Sequence, residues 1–297
     1  MASSIPAFAS RSSARAAERR HAPAFPRRLL GNQAAAIGLT IVAVYILLAL
    51  TADWLPLRSP VQIVGSDRMA GPSWSLPLGA DTFGRDLLSR IVFGAQLSLR
   101  VAVLSVAVAL LAGSVLGLVA GYAGSWLDQL IMRCMDVLFA FPAVLLALGV
   151  VAALGPSANN VVIAIAIVYT PIFARVVRGP VLAIKEREFV EAARALGARA
   201  SRIIVVHVLP NLLSVLIVQT SIALSWAVLT EASLSFLGLS AQPPAASWGV
   251  MLNEGRQNLE LAPHLAIFPG LAIMLAVLGF NLLGDGLRDV LDPRLRR

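Results

Sequence analysis

Few residues in this 297-residue chain have the chemistry to act on anything, and their spacing says what kind of action it is. The densest set is Glu188, Glu191, Arg194, Arg199 and Arg202, within EFVEAARALGARASRIIVVHVLPN (residues 188–211), flanked by long apolar runs. A segment so charged cannot lie in lipid, so it must face water. Phe189, Ala192, Ala193 and Leu196 fall at i, i+3, i+4 and i+7, which predicts a short helix with one apolar stripe. Gly197 then stands where a helix end needs a left-handed residue. A second short helix is expected to restart near Ala200, show Ile203, Ile204 and Val206 on its surface, and run toward Leu209 and Pro210. The chemistry on offer is that of a contact surface.

Other polar groups lie in or beside apolar runs. Arg133 and Asp136 are three residues apart, hence on one helix face and able to neutralise each other. They read either as the mouth of a polar path or as an ion pair anchoring a span. Glu231 is an isolated carboxylate near the end of another run, where it must face a cavity or a partner helix. The histidines, His21, His207 and His264, form no pair at metal-ligand spacing, so no metal site is expected. The pattern GxxxxGK[ST] is absent and the one lysine, Lys185, sits in AIKERE, so ATP is not cradled here by that route. An intramembrane serine protease would need Gly-x-Ser-Gly with a later histidine; Gly238-Leu239-Ser240-Ala241 with His264 lacks the second glycine. Cys134, alone in an apolar run, excludes an internal disulfide.

These groups must be positioned by membrane helices. The chain is 58% hydrophobic and 13% charged, with a mean hydropathy of +0.81, too apolar for an ordinary soluble domain. Its 24 basic against 16 acidic residues cluster at the ends of apolar runs, which argues against a nucleic-acid partner. Spans are expected at 34–54, 97–120, 130–154, 161–177, 208–229 and 265–283, since about 20 helical residues cross a hydrocarbon core of roughly 30 Å. Pro142, Pro171, Pro210 and Pro269 lie in or at the ends of these runs and are expected to kink them. With six crossings, 17 basic residues fall on the side of the termini and 5 on the other, which makes both termini and residues 181–210 cytoplasmic. The expected organisation is a basic, disordered tail over 1–33, a first helix and outer loop over 34–96, a five-helix core over 97–284, and a tail over 285–297. Within the outer loop, Asp81 or Thr82 is expected to cap a helix from about Gly84. That helix would lie at the interface, Leu87, Leu88 and Ile91 in lipid and Arg85 and Arg90 at headgroups.

Four blocks carry a family resemblance. Glu191-Ala192-Ala193, Gly197 and Leu209-Pro210 are spaced as in the EAA loop of permease subunits of binding-protein-dependent ABC importers, with His207 at the family's Ile position. LGADTFGRDLLSRIVFGAQLSL resembles the Gly-Thr-Asp-x-x-Gly-Arg-Asp-x-x-Ser-Arg pattern of the dipeptide, oligopeptide and nickel branch, with Ala80 in the Thr position. Arg133, Asp136, Ala140, Pro142 and Leu145 match a third block. The fourth is TEASLSFLGLSAQPPAASWGVML, which contains Glu231, and the last run also matches the family's ending.

The resemblance implies an all-α membrane protein with six transmembrane helices, N-in and C-in, of the type I ABC importer (MetI-like) permease fold. It implies a C-type pore subunit without an ATPase site of its own, in a bacterial inner membrane. Its partners would be a homologous second permease, two cytoplasmic ATPases that bind ATP and Mg, and an extracytoplasmic binding protein. Glu188, Glu191, Ala192, Ala193, Gly197, Leu209 and Pro210 would form the ATPase-coupling loop. Arg133, Asp136 and Glu231 would belong to the path or its gate. Peptide is the expected cargo on the branch's frequency, with nickel the other option, and an autonomous secondary transporter is the alternative function.

Overall fold

The computed structural model describes residues 29–64 and 68–291; the tail arginines up to Arg28, and Arg294, Arg296 and Arg297, lie outside them. Helix α1 (Gln33–Thr51) begins where the side-chain oxygen of Asn32 accepts from the Ala35 amide at 3.2 Å. There follow α2 (Leu87–Ala123), α3 (Ser125–Phe139), α4 (Ala143–Leu154), α5 (Ala158–Lys185), α6 (Glu188–Ala195) and α7 (Ala200–Ile203). A π-helical turn (Ile204–Val208) joins α7 to α8 (Leu209–Phe236), and α9 (Trp248–Arg256) and α10 (His264–Leu291) complete the described residues. Among the described residues five helical stretches are long and apolar enough to cross a membrane, α7 to α8 counting as one. The pair α3 and α4 makes a sixth if its two pieces, bent by 92°, are one span.

Three sequence expectations are corrected. The run 130–154 bends far more sharply than the expected proline kink, by 92° in an elbow at residues 140–142, where Pro142 brings no amide hydrogen to continue the ladder. No separate interfacial helix starts at Gly84: α2 begins at Leu87 and runs unbroken through residue 96, so a boundary there falls inside a helix. Asp81 instead closes a turn, accepting from the amides of Phe83 (2.8 Å) and Arg85 (2.9 Å), and Asp86 caps α2. Leu87, Arg85 and Arg90 are buried rather than turned to lipid and headgroups. Finally, α5 and α8 extend well past the expected spans, to Lys185 and Phe236.

Small residues set the packing. Gly113, Gly117 and Gly121 of α2, one turn apart, lie against Phe173, Val177 and Val181 of α5, so the two helices run parallel. A methyl at Gly121 would stand 2.8 Å from Val181, so only glycine permits this approach. The elbow of α3 and α4 returns the chain across the bundle between these parallel neighbours. Helix α10 runs antiparallel to α1, with Tyr45 Oη donating to the Ala272 carbonyl at 3.0 Å, and to α8, with Ser225 Oγ donating to that of Val277. Segment 186–208 therefore sits at the end of the bundle where α2 and α10 finish and α1 begins. Residues 52–64, 68–86 and 237–263 form the opposite end.

Candidate functional site

At the first end, α6 leaves α5 after two connecting residues. Its last turn closes as a Schellman motif: Ala198 donates to the Ala193 carbonyl (3.0 Å) and Gly197 to that of Arg194 (2.9 Å). Gly197 has φ +79°, and nothing lies within 4 Å of where a Cβ would be, so its glycine answers to backbone conformation alone. Two apolar pegs seat the motif, Val190 of α6 and Ile203 of α7, both buried. Ile203 was expected on the surface; it faces inward instead, while Val206 is exposed. The stripe read from the sequence is present but uncovered. Phe189 is 41% and Leu196 89% exposed, Ala192 is exposed and Ala193 half-buried. Glu188, Glu191, Gly197 and Pro210 also face outward, and Leu209 is half-buried at the start of α8. A helix that leaves its apolar stripe in solvent presents it to something else.

Beside this motif two ion pairs join α3 to α5. Arg178 grips Asp128 with two hydrogen bonds, Nε to Oδ1 at 2.5 Å and one terminal nitrogen to Oδ2 at 2.6 Å. Arg175 donates to Asp136 at 2.7 Å and stacks over Phe139 at 3.9 Å. Asp136 thus pairs with α5 and not with Arg133, which is exposed on α3. The cross-helix geometry prevails because a one-turn pair on an exposed helix is worth only about 0.2–0.5 kcal/mol.

The opposite end holds its charges inside. Asp81, Arg85, Arg90 and Glu254 form a cluster in which Arg85 Nε donates to Asp81 at 2.6 Å. Arg90, 0% exposed, reaches Asp81 (3.2 Å), Glu254 (3.3 Å) and the Pro60 carbonyl (3.3 Å). Glu231 is also 0% exposed. Ser235 Oγ donates to its Oε1 at 2.5 Å, Ser240 stands at 3.5 Å, and Ser98 of α2 is beside it. Trp248 seals this corner, with Nε1 donating to the Ile91 carbonyl at 3.0 Å and its ring edge-on to Tyr45. Glu231 therefore faces a partner helix, the second of the two surroundings its burial required. It lines none of the cavities described here.

Two cavities share one face of α8. One of about 290 Å³ is walled by Ala143 and Val144 of α4, Tyr169 of α5, and Gln219, Trp226 and Thr230 of α8. The other, about 430 Å³, continues past Gln219 to Ser214 and Arg288. Tyr169 and Thr230 share a hydrogen bond of 2.9 Å, while the Gln219 amide makes none among the described residues. Sequence reasoning missed these wall residues, since single polar residues in apolar runs gave no pattern. It counted Arg175 and Arg178 only as charge bias, although their one-turn spacing could have suggested a shared partner helix.

A bundle of helices long and apolar enough to cross a membrane, with an uncovered helix–turn–helix at one end, suits a transporter's membrane subunit. The chain belongs to the family of binding-protein-dependent transport system inner membrane components, whose model matches residues 113–297. It is an ABC-importer permease. It is 49% identical over 270 residues to the dipeptide transport system permease protein DppC of Alkalihalophilus pseudofirmus, covering 91% of this chain and 89% of that one. The glutathione transport system permease protein GsiD of Pectobacterium atrosepticum is 48% identical over 273 residues, 92% of this chain and 91% of its own. GsiD of Escherichia coli O157:H7 is 46% identical over the same length, 92% and 90% of the two chains.

Proposed function

We propose that this subunit imports a short peptide, dipeptide or glutathione-like, across a bacterial inner membrane. It works by alternating access beside a homologous second permease, and an extracytoplasmic binding protein delivers the cargo. Two cytoplasmic ATPases, which hold ATP and Mg, dock on the segment from Glu188 to Pro210. Six crossings, with α3 and α4 counted as one, then leave both termini and that segment on the cytoplasmic side. One observation carries the reading: an apolar stripe through Phe189 and Leu196 stands in solvent on a helix–turn–helix otherwise pinned by Val190 and Ile203. Such a surface is pre-organised for a groove in a partner and loses little entropy on docking.

The path in this reading follows the shared face of α8, from Ser233 to Ser214. Nineteen residues of helix rise about 28 Å, close to the thickness of the hydrocarbon core. Gln219, Tyr169 and Thr230 offer neutral donors and acceptors, which suit peptide amides better than a metal ion. Arg133 and Asp136 stand at the cytoplasmic mouth, and Glu231 holds the outer corner shut from behind the path. The test is a crosslink. Ala193→Cys, made in a Cys134→Ser background, should form an oxidant-dependent link to a cysteine in the ATPase groove, and the link should change with ATP. Absence of any link along residues 189–199 of an assembled complex would put the ATPase contact elsewhere and overturn the docking role of Glu188 to Pro210.

A further inference from the structure

Building on the transport reading, we infer that α3 is a lever arm clamped to α5 through Asp128–Arg178 and Asp136–Arg175, and that this clamp positions the mouth of the cavity walled by Ala143, Val144, Tyr169, Trp226 and Thr230. These four charged residues are positioning residues for translocation.

Helix α3 has little else to hold it. Met135 is its one buried residue, so it is not seated by an apolar face as the other long helices are. Two attachments fix more than one can: a single pair leaves a pivot, whereas pairs at Asp128 and Asp136, two turns apart, define the direction of the arm. The Arg178 contact is two-pronged and resists rotation. The Arg175 contact is tied to Phe139, the last residue before the elbow.

Both ends of the arm are connected. On the driving side, α5 passes into α6 through two residues, and buried Val190 leaves no slack. On the driven side, the elbow at residues 140–142 hands over to α4, whose Ala147 and Val151 are packed while its first turn, Ala143 and Val144, reaches the cavity. Arms of 15 and 12 residues are about 22 and 18 Å long, so a displacement at one end arrives at the other nearly undiminished. A movement of the docked segment thus travels through α5, the clamp and the elbow to one wall of the cavity, while α8 forms the facing wall. Packed elements of this kind respond by shifting as bodies and not by flowing.

The experiment uses the full complex, both permeases, ATPases and binding protein, in proteoliposomes. Val144→Cys and Trp226→Cys in a Cys134→Ser background report the cavity mouth by disulfide yield, with and without ATP and vanadate. The yield should change at least about threefold with nucleotide when the clamp is intact, lose that dependence in Asp128→Arg or Arg178→Asp, and regain it in the swapped double variant. A complex of normal stoichiometry in which the single variants keep the dependence, or the swap fails to restore it, overturns the clamp. Where reversal at the half-buried pair prevents assembly, the more exposed pair Arg175→Glu and Asp136→Arg gives the same comparison. The Ala193→Cys link to the ATPases is read in parallel. If it persists while the cavity pair is insensitive to nucleotide, the lever fails alone; if it is missing even with the clamp intact, the docking of the ATPases on Glu188 to Pro210 fails and takes the lever with it.

Discussion

The two ends of the bundle finish helices in the same way and use charge in opposite ways. Helix α8 closes on Gly238 (φ +76°) with the same pair of hydrogen bonds that α6 makes at Gly197, Leu239 to Leu234 and Gly238 to Ser235. Around Gly197 the chain displays its apolar stripe and leaves most of its charges in solvent. Beyond Gly238 it covers a carboxylate with serines, a tryptophan and α2, and nearby it buries two arginines against two acids. In the function proposed above, the first end is the one another protein holds. The second is made to keep its own shape, because a buried charge tolerates no loss of its partner.

That contrast can be broken by mutation, and the expected effects on stability descend in order. Arg90→Ala leaves the two acids, Asp81 and Glu254, with Arg85 as their one remaining cation among the described residues, so that a negative charge is uncompensated inside, and should cost about 3–5 kcal/mol, seen as a large fall in melting temperature in detergent. Trp248→Phe keeps an aromatic ring but loses the bond to the Ile91 carbonyl and leaves a void in a fully buried site, so a loss of about 1–3 kcal/mol is expected in the same melt. Gly197→Ala and Gly238→Ala meet no atom within 4 Å, and each should cost only the left-handed penalty, about 1–2 kcal/mol. Their consequences should part: Gly197→Ala weakens ATPase association in a pull-down, and Gly238→Ala does not. Leu196→Asp should change the melt by less than about 0.5 kcal/mol yet abolish ATPase capture. A Leu196→Asp variant that melts much lower would mean the stripe is a packing surface and the contrast is false.

What the sequence shows and hides follows the range of the interactions. The stripe of α6 and the turn at Gly197 were legible because neighbours within seven residues set them. The kink at Pro142 was legible too, but not its size, which depends on α3 leaning on α5. The start of α2 was misread because Asp81, Arg85 and Arg90 look like surface residues; their partner, Glu254, lies 164 residues beyond Arg90 and is invisible to any local pattern. Asp136 was given a local partner for the same reason. The cost of burying Glu231 was plain, whereas the serines that meet it come from three places in the chain.

The seam between the first and last described helices bears on how the protein is made. Tyr45 finds the Ala272 carbonyl 227 residues later, and Gly38 fits against Leu283. At a synthesis rate of about 5–20 residues per second, α1 sits in the bilayer for on the order of tens of seconds before its neighbour emerges. Until then its small-residue face is open to lipid and to any chaperone or protease that patrols the membrane. A chain that stops short of α10 leaves that face permanently bare, so the seam gives the cell a way to tell finished copies from broken ones.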